Sequence, residues 1–493
     1  MNNKTSLNAI DHAVTQARNA YLSFKRWNVR QRAALMHQVA DEIEALGPEL
    51  ITTARAETHL PEARLTGEKA RTVFQWRSYA DALALVLDAR IDTADSMRTP
   101  PKPDLRKTSQ GLGVVAVFGA SNFPFAFSTA GGDTASAIAA GCAVIAKTHP
   151  GHPETSAIMA AAITEGIRKA GGPEGLFAAV ASEGPEGGQY LVVHPAVKAV
   201  AFTGSFSGGK ALSDLAAKRP EPIPVFAEMG SVNPVFLLPG MLENAAADVA
   251  KQYAASLTLG VGQFCTNPGL LFAPDHPSLP AFLEALRAEI SGIPAAPMLH
   301  GGIAVAYHRN KTAILAHEDV SVLAEVVEQL PDSHGNPVVA TTTARAFAAN
   351  PGLSHEVFGP FGLVITYKHA EELLSIIQQL DGQLTATLLA KPEELEAAQA
   401  LVDVLTEKCG RLLLNGFPTG VEVCYAMQHG GPFPATTDSR FTSVGPDAIK
   451  RFLRPVSYQN WPDELLPDEL KNANPLGVWR TVNGILNNAA VSV

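Results

Sequence analysis

The chain has 493 residues, 46% hydrophobic and 17% charged, with a formal net charge of −10. That balance describes a folded protein long enough for two or three domains around a large core, and it excludes a disordered chain. The acidic charge and the lack of any Lys/Arg run argue against a nucleic-acid surface, and no segment approaches the roughly 18 consecutive apolar residues of a membrane span.

Four cysteines (Cys142, Cys265, Cys409 and Cys424) are scattered and form no CxxC pair. A disulfide scaffold and a zinc site are therefore not expected, and a reducing compartment fits. No HxE or HExxH pattern points to another metal. Residues 1–24 read as an amphipathic helix rather than a signal peptide, which predicts a cytoplasmic protein.

Helical spacing dominates from residue 5 to about 90. Asn28 followed by Gln31 resembles a capping box opening a helix through Ala45. Residues 66–87 continue the pattern, and Thr99-Pro100-Pro101-Lys102-Pro103 breaks it. From Gly113 the period changes. Strands are predicted at 114–118, 143–146, 176–181, 197–202, 224–227 and 235–238. Helices are predicted between them at 128–140, 154–170, 187–193 and 208–217. Such alternation means a parallel sheet covered on both faces, with a nucleotide at the carboxyl ends of its strands. A second α/β region runs from about 229 to 448, and the tail from about 449 begins like a strand.

Three segments stand out chemically. Gly260-Val261-Gly262-Gln263-Phe264-Cys265-Thr266-Asn267 sets one thiol among small residues. Phe226-Ala227-Glu228-Met229-Gly230 offers a carboxylate on an apolar run. A nucleophilic thiol and a separate base are the groups needed to form and then hydrolyse a thioester. Taken singly, Cys265 reads more readily as a small core residue than as a nucleophile. There is no GxGxxG. Phe202-Thr203-Gly204-Ser205 followed by Gly208-Gly209 is the nearest phosphate-loop candidate, and it reads equally as a Gly-rich turn with a serine cap.

Together with Phe118-Gly119-Ala120-Ser121-Asn122-Phe123-Pro124, Val144-Ile145-Ala146-Lys147 and Glu356-Val357-Phe358-Gly359-Pro360, these pieces stand in the order and spacing of the aldehyde dehydrogenase superfamily. The chain resembles that superfamily along nearly its whole length. Within it, residues 125–137, 427–432 and 454–460 resemble the α-ketoglutaric semialdehyde (2,5-dioxopentanoate) dehydrogenase group. An NADP-linked fatty aldehyde dehydrogenase group shares part of the pattern.

The resemblance implies an α/β fold with a Rossmann-type cofactor domain (1–100 and 112–228), an α/β catalytic domain (229–448) and a small β oligomerisation arm (101–111 and 449–493). It implies a homodimer or homotetramer acting on a small aldehyde with NADP or NAD. Cys265 would form a thiohemiacetal and, after hydride loss to the nicotinamide, a thioester. The Asn122 amide and the Cys265 N–H would hold the oxyanion, and Glu228 would activate the hydrolytic water. Lys147 would take the adenine-side ribose, Gly204 and Ser205 the pyrophosphate, and Glu356 the nicotinamide-side ribose, with Phe358 beside the ring.

Two departures from the family pattern bear on specificity. Pro150 stands where NAD-preferring relatives often carry a Glu, so a 2′-phosphate is not repelled there. The turn Ser182-Glu183-Gly184-Pro185-Glu186, however, lacks an Arg for it. Ser121 replaces a Trp common before the oxyanion Asn, predicting a more polar mouth. Arg71, Arg77 and His429 are candidates for a substrate carboxylate, and each reads also as a structural or solvated residue. Two other readings are an acylating enzyme that passes the thioester to coenzyme A, which Glu228 opposes, and a non-catalytic relative, which the joint presence of Cys265, Glu228 and Asn122 opposes.

Overall fold

The computed structural model describes residues 6–182, 184–326 and 331–491. Glu183, at the turn predicted to lack a phosphate-binding arginine, lies outside the described residues. Four helices open the chain: α1 (Leu7–Phe24), α2 (Val29–Ala45), α3 (Pro48–Thr58) and α4 (Glu62–Val86). α2 begins at the expected capping box. Asn28 Oδ1 accepts from the Gln31 N–H at 3.1 Å, and Gln31 Oε1 accepts from the Asn28 N–H at 2.9 Å. These bonds occupy donors that a helix start otherwise leaves orphaned. Two short strands follow, β1 (Arg90–Asp92) and β2 (Leu105–Gly111).

The alternating region then forms β3 (Val114–Phe118), α5 (Gly132–Ala139), β4 (Ala143–Lys147), α6 (Pro153–Lys169), β5 (Phe177–Val180), α7 (Pro185–Val193), β6 (Val197–Thr203), α8 (Phe206–Ala217) and β7 (Val225–Glu228). Its strands lie in the order β5-β4-β3-β6-β7, all parallel. Every residue of β3 is buried, as a central parallel strand requires. The chain steps from β3 to β4 on one side and later returns to place β6 on the other. That reversal opens a crevice at the carboxyl ends of the strands. α5 starts at Gly132 rather than 128, because a turn closed by Gly131 N–H to Ser128 C=O, 2.8 Å, occupies the intervening residues.

A second region comprises β8 (Val235–Leu237), α9 (Pro239–Thr258), β9 (Leu270–Pro274), α10 (Leu279–Ser291), β10 (Ala296–Pro297), α11 (Gly301–Leu315), β11 (Ser321–Glu325), β12 (His334–Gly335), β13 (Val338–Thr343), β14 (Phe361–Tyr367), β15 (Gln383–Leu389) and β16 (Cys409–Leu414). β10 and β12 pair separately, and the rest form a sheet in the order β11-β13-β14-β9-β8-β15-β16. Separate apolar clusters cover it, one around Phe236, Phe272 and Ile365 and one around Tyr253, Leu271 and Phe282. Burying each such side chain contributes about 1.5–3 kcal/mol.

The last strands, β17 (Leu453–Gln459), β18 (Arg480–Val482) and β19 (Ile485–Asn487), join the two early ones in the order β17-β2-β1-β18-β19. Two boundaries differ from the expected ones. The arm sheet already includes β1 at residues 90–92, upstream of 101. In addition, Val423, Val444, Ala448, Ile449 and Phe452 belong to the core of the first sheet, not the second. The reason is aromatic packing: Phe226 of β7 meets Phe441 and Phe452 edge-on at 5.4 and 5.6 Å.

Candidate active site

The thiol loop lies between α9 and β9. Gly260, Val261 and Gly262 take φ of 56°, 59° and 64° in succession. A β-branched residue such as Val261 rarely adopts that region, so the surrounding structure must hold it there. Gly262 leaves no room for a side chain, since a Cβ would lie 2.3 Å from the carbonyl of Gly359. The loop is pinned by side-chain amides. Asn233 Nδ2 donates to the carbonyls of Cys265 and Asn267 at 2.8 and 2.9 Å, and Asn267 Nδ2 donates to that of Gly262 at 2.6 Å. Gln383 Oε1 in turn accepts the Val232 N–H at 2.9 Å.

Glu228 ends β7 and is 3% exposed. Its Oε1 lies 2.9 Å from His429 Nε2, and its Oε2 accepts from Ser443 Oγ. His429 Nε2 is also 3.6 Å from Cys265 Sγ. The imidazole therefore stands between thiol and carboxylate, 1% exposed. His429, a candidate for the substrate carboxylate in the sequence, is placed here against the thiol and Glu228. The main chain of 429 pairs with Thr442 and Ser443, which draws the ring inward. Burial, then the Glu228 and Glu356 carboxylates, pushes the Cys265 thiol well above its ordinary range. Burial also opposes ionisation of Glu228, but the charge and contact of His429 and the hydroxyl of Ser443 outweigh it and hold that carboxyl low. The site thus rests with a protonated thiol beside an ionised base.

Glu228, Cys265 and His429 offer ligand atoms all within 4.8 Å of one another. Two ligands at about 2.0–2.1 Å from one tetrahedral ion sit roughly 3.3 Å apart, so the 2.9 Å contact of His429 with Glu228 is closer than two ligands of one ion would stand.

Asn122 is buried, and one of its amide hydrogens goes to the Gln263 carbonyl at 3.0 Å. The second N–H remains for an oxyanion. Arg64 of α4 donates to the Asn122 carbonyl at 2.6 Å and lies over the rings of Phe123 and Phe264 at 4.8 and 4.7 Å. Glu68, one turn on, accepts the N–H groups of Phe125 and Ala126 at 2.8 and 2.9 Å. Sequence reasoning missed both, because a charged residue in a long helix reads as solvated. Ser121 is half-buried in the preceding turn.

Arg71, also on α4, faces this region. It donates to the Val421 carbonyl and lies 5.7 Å from the centre of the Phe127 ring. Arg77 does not reach the site. It bonds Asp41 and Glu44 on α2, each at 2.7 Å. Six residues along a helix is 600°, so the two arginines point in different directions.

The crevice above the first sheet holds a cavity of about 370 Å³, lined by Phe118, Lys147, Gly188, Phe202, Gly208 and Leu215 among others. Burial lowers the Lys147 ammonium. Ser205 caps α8, accepting from the Gly208 N–H at 3.3 Å, and Gly204 stands in the turn before it. The cap and the helix start leave amides and the dipole facing the crevice, a fit for a pyrophosphate. Pro150 is exposed in the turn after β4. Glu356 and Phe358 share the lining of a second hollow with Phe264. Burial raises the Glu356 carboxyl to about 7, offset in part by the Ser231 N–H. A Cβ on Gly230 would collide with that carboxylate at 2.2 Å. Cys142 is buried and Cys424 is exposed.

A parallel-sheet crevice, a thiol beside a buried histidine–carboxylate pair, and an adjacent amide donor define a dinucleotide-dependent enzyme working through a covalent thiol adduct. The aldehyde dehydrogenase family model matches residues 3–453, and the chain belongs to that family: it is an NAD(P)-dependent oxidoreductase acting on aldehydes. It is 48% identical over 478 residues to alpha-ketoglutaric semialdehyde dehydrogenase 2 of Azospirillum brasilense, covering 96% of this chain and 91% of that one. It is 46% identical over 489 residues to alpha-ketoglutaric semialdehyde dehydrogenase of Acinetobacter baylyi, covering 98% and 92%. Among solved structures, the NAD+ complex of an aldehyde dehydrogenase from Bacillus cereus shares the fold with a TM-score of 0.78 at 21% identity, over 92% of this chain and 89% of that one. Among the described residues, no helix is long and apolar enough to cross a membrane.

Proposed function

We propose that this enzyme oxidises α-ketoglutaric semialdehyde to α-ketoglutarate. The observation that carries the reading is near-full-length identity of 48% and 46% to two enzymes of that name. Arg71, whose guanidinium lies 5.7 Å from the Phe127 ring, supports it, since a buried carboxylate requires a cation or several donors.

The residues divide the work as follows. Cys265 Sγ gives its proton to the Glu228–His429 pair, whose ligand atoms lie within 4.8 Å of it, and on to solvent. Sγ bonds the aldehyde carbon, and the carbonyl oxygen accepts from Asn122 and the Cys265 N–H. A bound nicotinamide dinucleotide supplies the hydride acceptor. Lys147, Gly204 and Ser205 hold its adenosine and pyrophosphate end, Glu356 and Phe358 its other end, and Pro150 leaves NADP as acceptable as NAD. Glu228 then draws a proton from water, whose oxygen bonds the thioester carbon. The C–S bond breaks, and the acid and the free thiol leave the step.

The enzyme works as a homodimer or homotetramer in the reducing cytoplasm, where a free thiol is retained. The arm supports the oligomer: Trp461, Leu465, Trp479, Ile485 and Leu486 are each at least 50% exposed, and edge strand β16 is only half-buried. Pairing of β17 with a neighbour's sheet edge covers both. Light scattering at micromolar concentration checks this, and a strict monomer refutes it.

The deciding assay follows nicotinamide reduction over an aldehyde panel, with NAD and NADP, with and without coenzyme A. The highest kcat/KM is expected for α-ketoglutaric semialdehyde with no need for coenzyme A. A preference for long-chain aliphatic aldehydes would replace this reading with the fatty aldehyde one.

A further inference from the structure

Two arginines converge on one loop. Arg71 on α4 donates to the Val421 carbonyl from one side. Arg411 on β16 donates from Nη1 to the Gly420 carbonyl at 3.1 Å and from Nη2 to the Pro418 carbonyl at 2.8 Å. The loop 418–421 is thus held between them by uncharged partners alone. Nε and Nη2 of Arg71 and Nε of Arg411 are buried and have no hydrogen-bond partner. Buried donors left unmade are costly, and those on a cation more so.

Of the well-buried arginines, Arg32, Arg219 and Arg480 bond main-chain carbonyls alone, whereas two others meet carboxylates. Arg451 meets Asp133 at 2.7 Å, and Arg106 meets Asp104 and Asp463 at 2.9 and 3.2 Å. The acids nearest Arg71 bond main-chain N–H groups, although Glu68 Oε2 is itself buried without a partner. Glu68 takes the Phe125 and Ala126 N–H groups, and Glu422 Oε1 accepts the N–H of Val423 at 3.1 Å. Arg71 lies 5.7 Å from the centre of the Phe127 ring, which meets the His429 ring at 6.1 Å, and His429 Nε2 is 3.6 Å from Cys265 Sγ.

Resting on the reading of the substrate as a carboxylated aldehyde, we propose that Arg71 and Arg411 together receive the substrate carboxylate, one from the α4 side and one from the β16 side of the 418–421 loop. The anion supplies the partners their free N–H groups lack. Arg411, not singled out by its sequence context, becomes a specificity-determining residue. Two planar forks meeting one carboxylate select for it more sharply than a single point charge.

The test compares wild type with Arg411→Met and Arg411→Gln, the latter keeping N–H donors for the loop carbonyls without the charge. The measured quantity is the ratio of kcat/KM for α-ketoglutaric semialdehyde to that for pentanal. A fall of at least tenfold in both variants is expected. A second readout needs no turnover: α-ketoglutarate should slow iodoacetamide alkylation of Cys265 in wild type, and at least tenfold more should be required in the variants. An unchanged ratio, or equal losses on both aldehydes, overturns the inference and makes Arg411 a loop-positioning residue. Should Arg411→Met fail to fold, Arg411→Gln decides by the same criteria. A wild type indifferent to the carboxylate instead refutes the substrate reading itself.

Discussion

Replacing Glu68 by Gln gives a pH-resolved test of how the oxyanion turn is built. Glu68 is 5% exposed. Burial raises its carboxyl from 4.5 to about 7 despite the N–H groups of Ala126 and Phe125 and the nearby charges of Arg64 and Arg71. The folded protein therefore binds this proton more tightly than the unfolded chain. The sign follows from linkage: the group's stabilising contribution is full below pH 4.5 and is lost as pH rises through about 7. Taking about 1.4 kcal/mol per pH unit, wild type should lose roughly 2.5 kcal/mol from this site between pH 5 and 8. Gln keeps an oxygen acceptor for both amides and cannot ionise. Urea unfolding of both proteins at pH 5 and pH 8 should therefore show Glu68→Gln gaining about 2.5 kcal/mol on wild type across that range. Parallel pH profiles would refute the argument. Glu68→Ala strips the acceptor from two buried amides and should cost roughly 2–6 kcal/mol at either pH, with kcat falling as the Asn122 turn loosens.

Cys265→Ala should reduce aldehyde oxidation roughly 10³–10⁶-fold while dinucleotide binding, followed by fluorescence titration, persists; near-parent turnover would refute the assignment. Glu228→Gln should keep a rapid burst of reduced nicotinamide and slow the steady state by roughly 10²–10⁴. Loss of the burst with intact dinucleotide binding would make Glu228 necessary for thiol activation instead. Pro150→Glu should raise KM for NADP about tenfold relative to NAD, and equal penalties would place residue 150 away from the 2′ position.

The parallel sheets were legible because their strands are short apolar runs between Gly and Pro, as in Val114–Phe118 and Ala143–Lys147. The arm strand Arg90–Asp92 was not: three residues buried only at Ile91 carry no period. In the site, Cys265, Glu228 and Asn122 were found through local motifs, and the structure brings them together. The inward turn of His429 was hidden because it depends on Thr442 and Ser443 further along the chain. Arg77 was separable from Arg71 by helical spacing alone. Glu68 and Arg64 were invisible for a different reason: only the fold reveals that these two side chains turn into the protein while Glu62, Ala63, Thr66 and Gly67 beside them stay exposed.

Arg64, Glu68 and Arg71 occupy positions i, i+4 and i+7 of α4, a single stripe. None of the three is on the strand or loops that carry the thiol and its base. One stripe thus carries two duties: Arg64 and Glu68 hold the Asn122 turn, and Arg71 stands on the proposed substrate side. Libraries confined to Arg71 and Arg411, with Arg64 and Glu68 kept, should retune which aldehydes enter while the reaction itself goes on unaltered, a division that suits both evolution and the engineer.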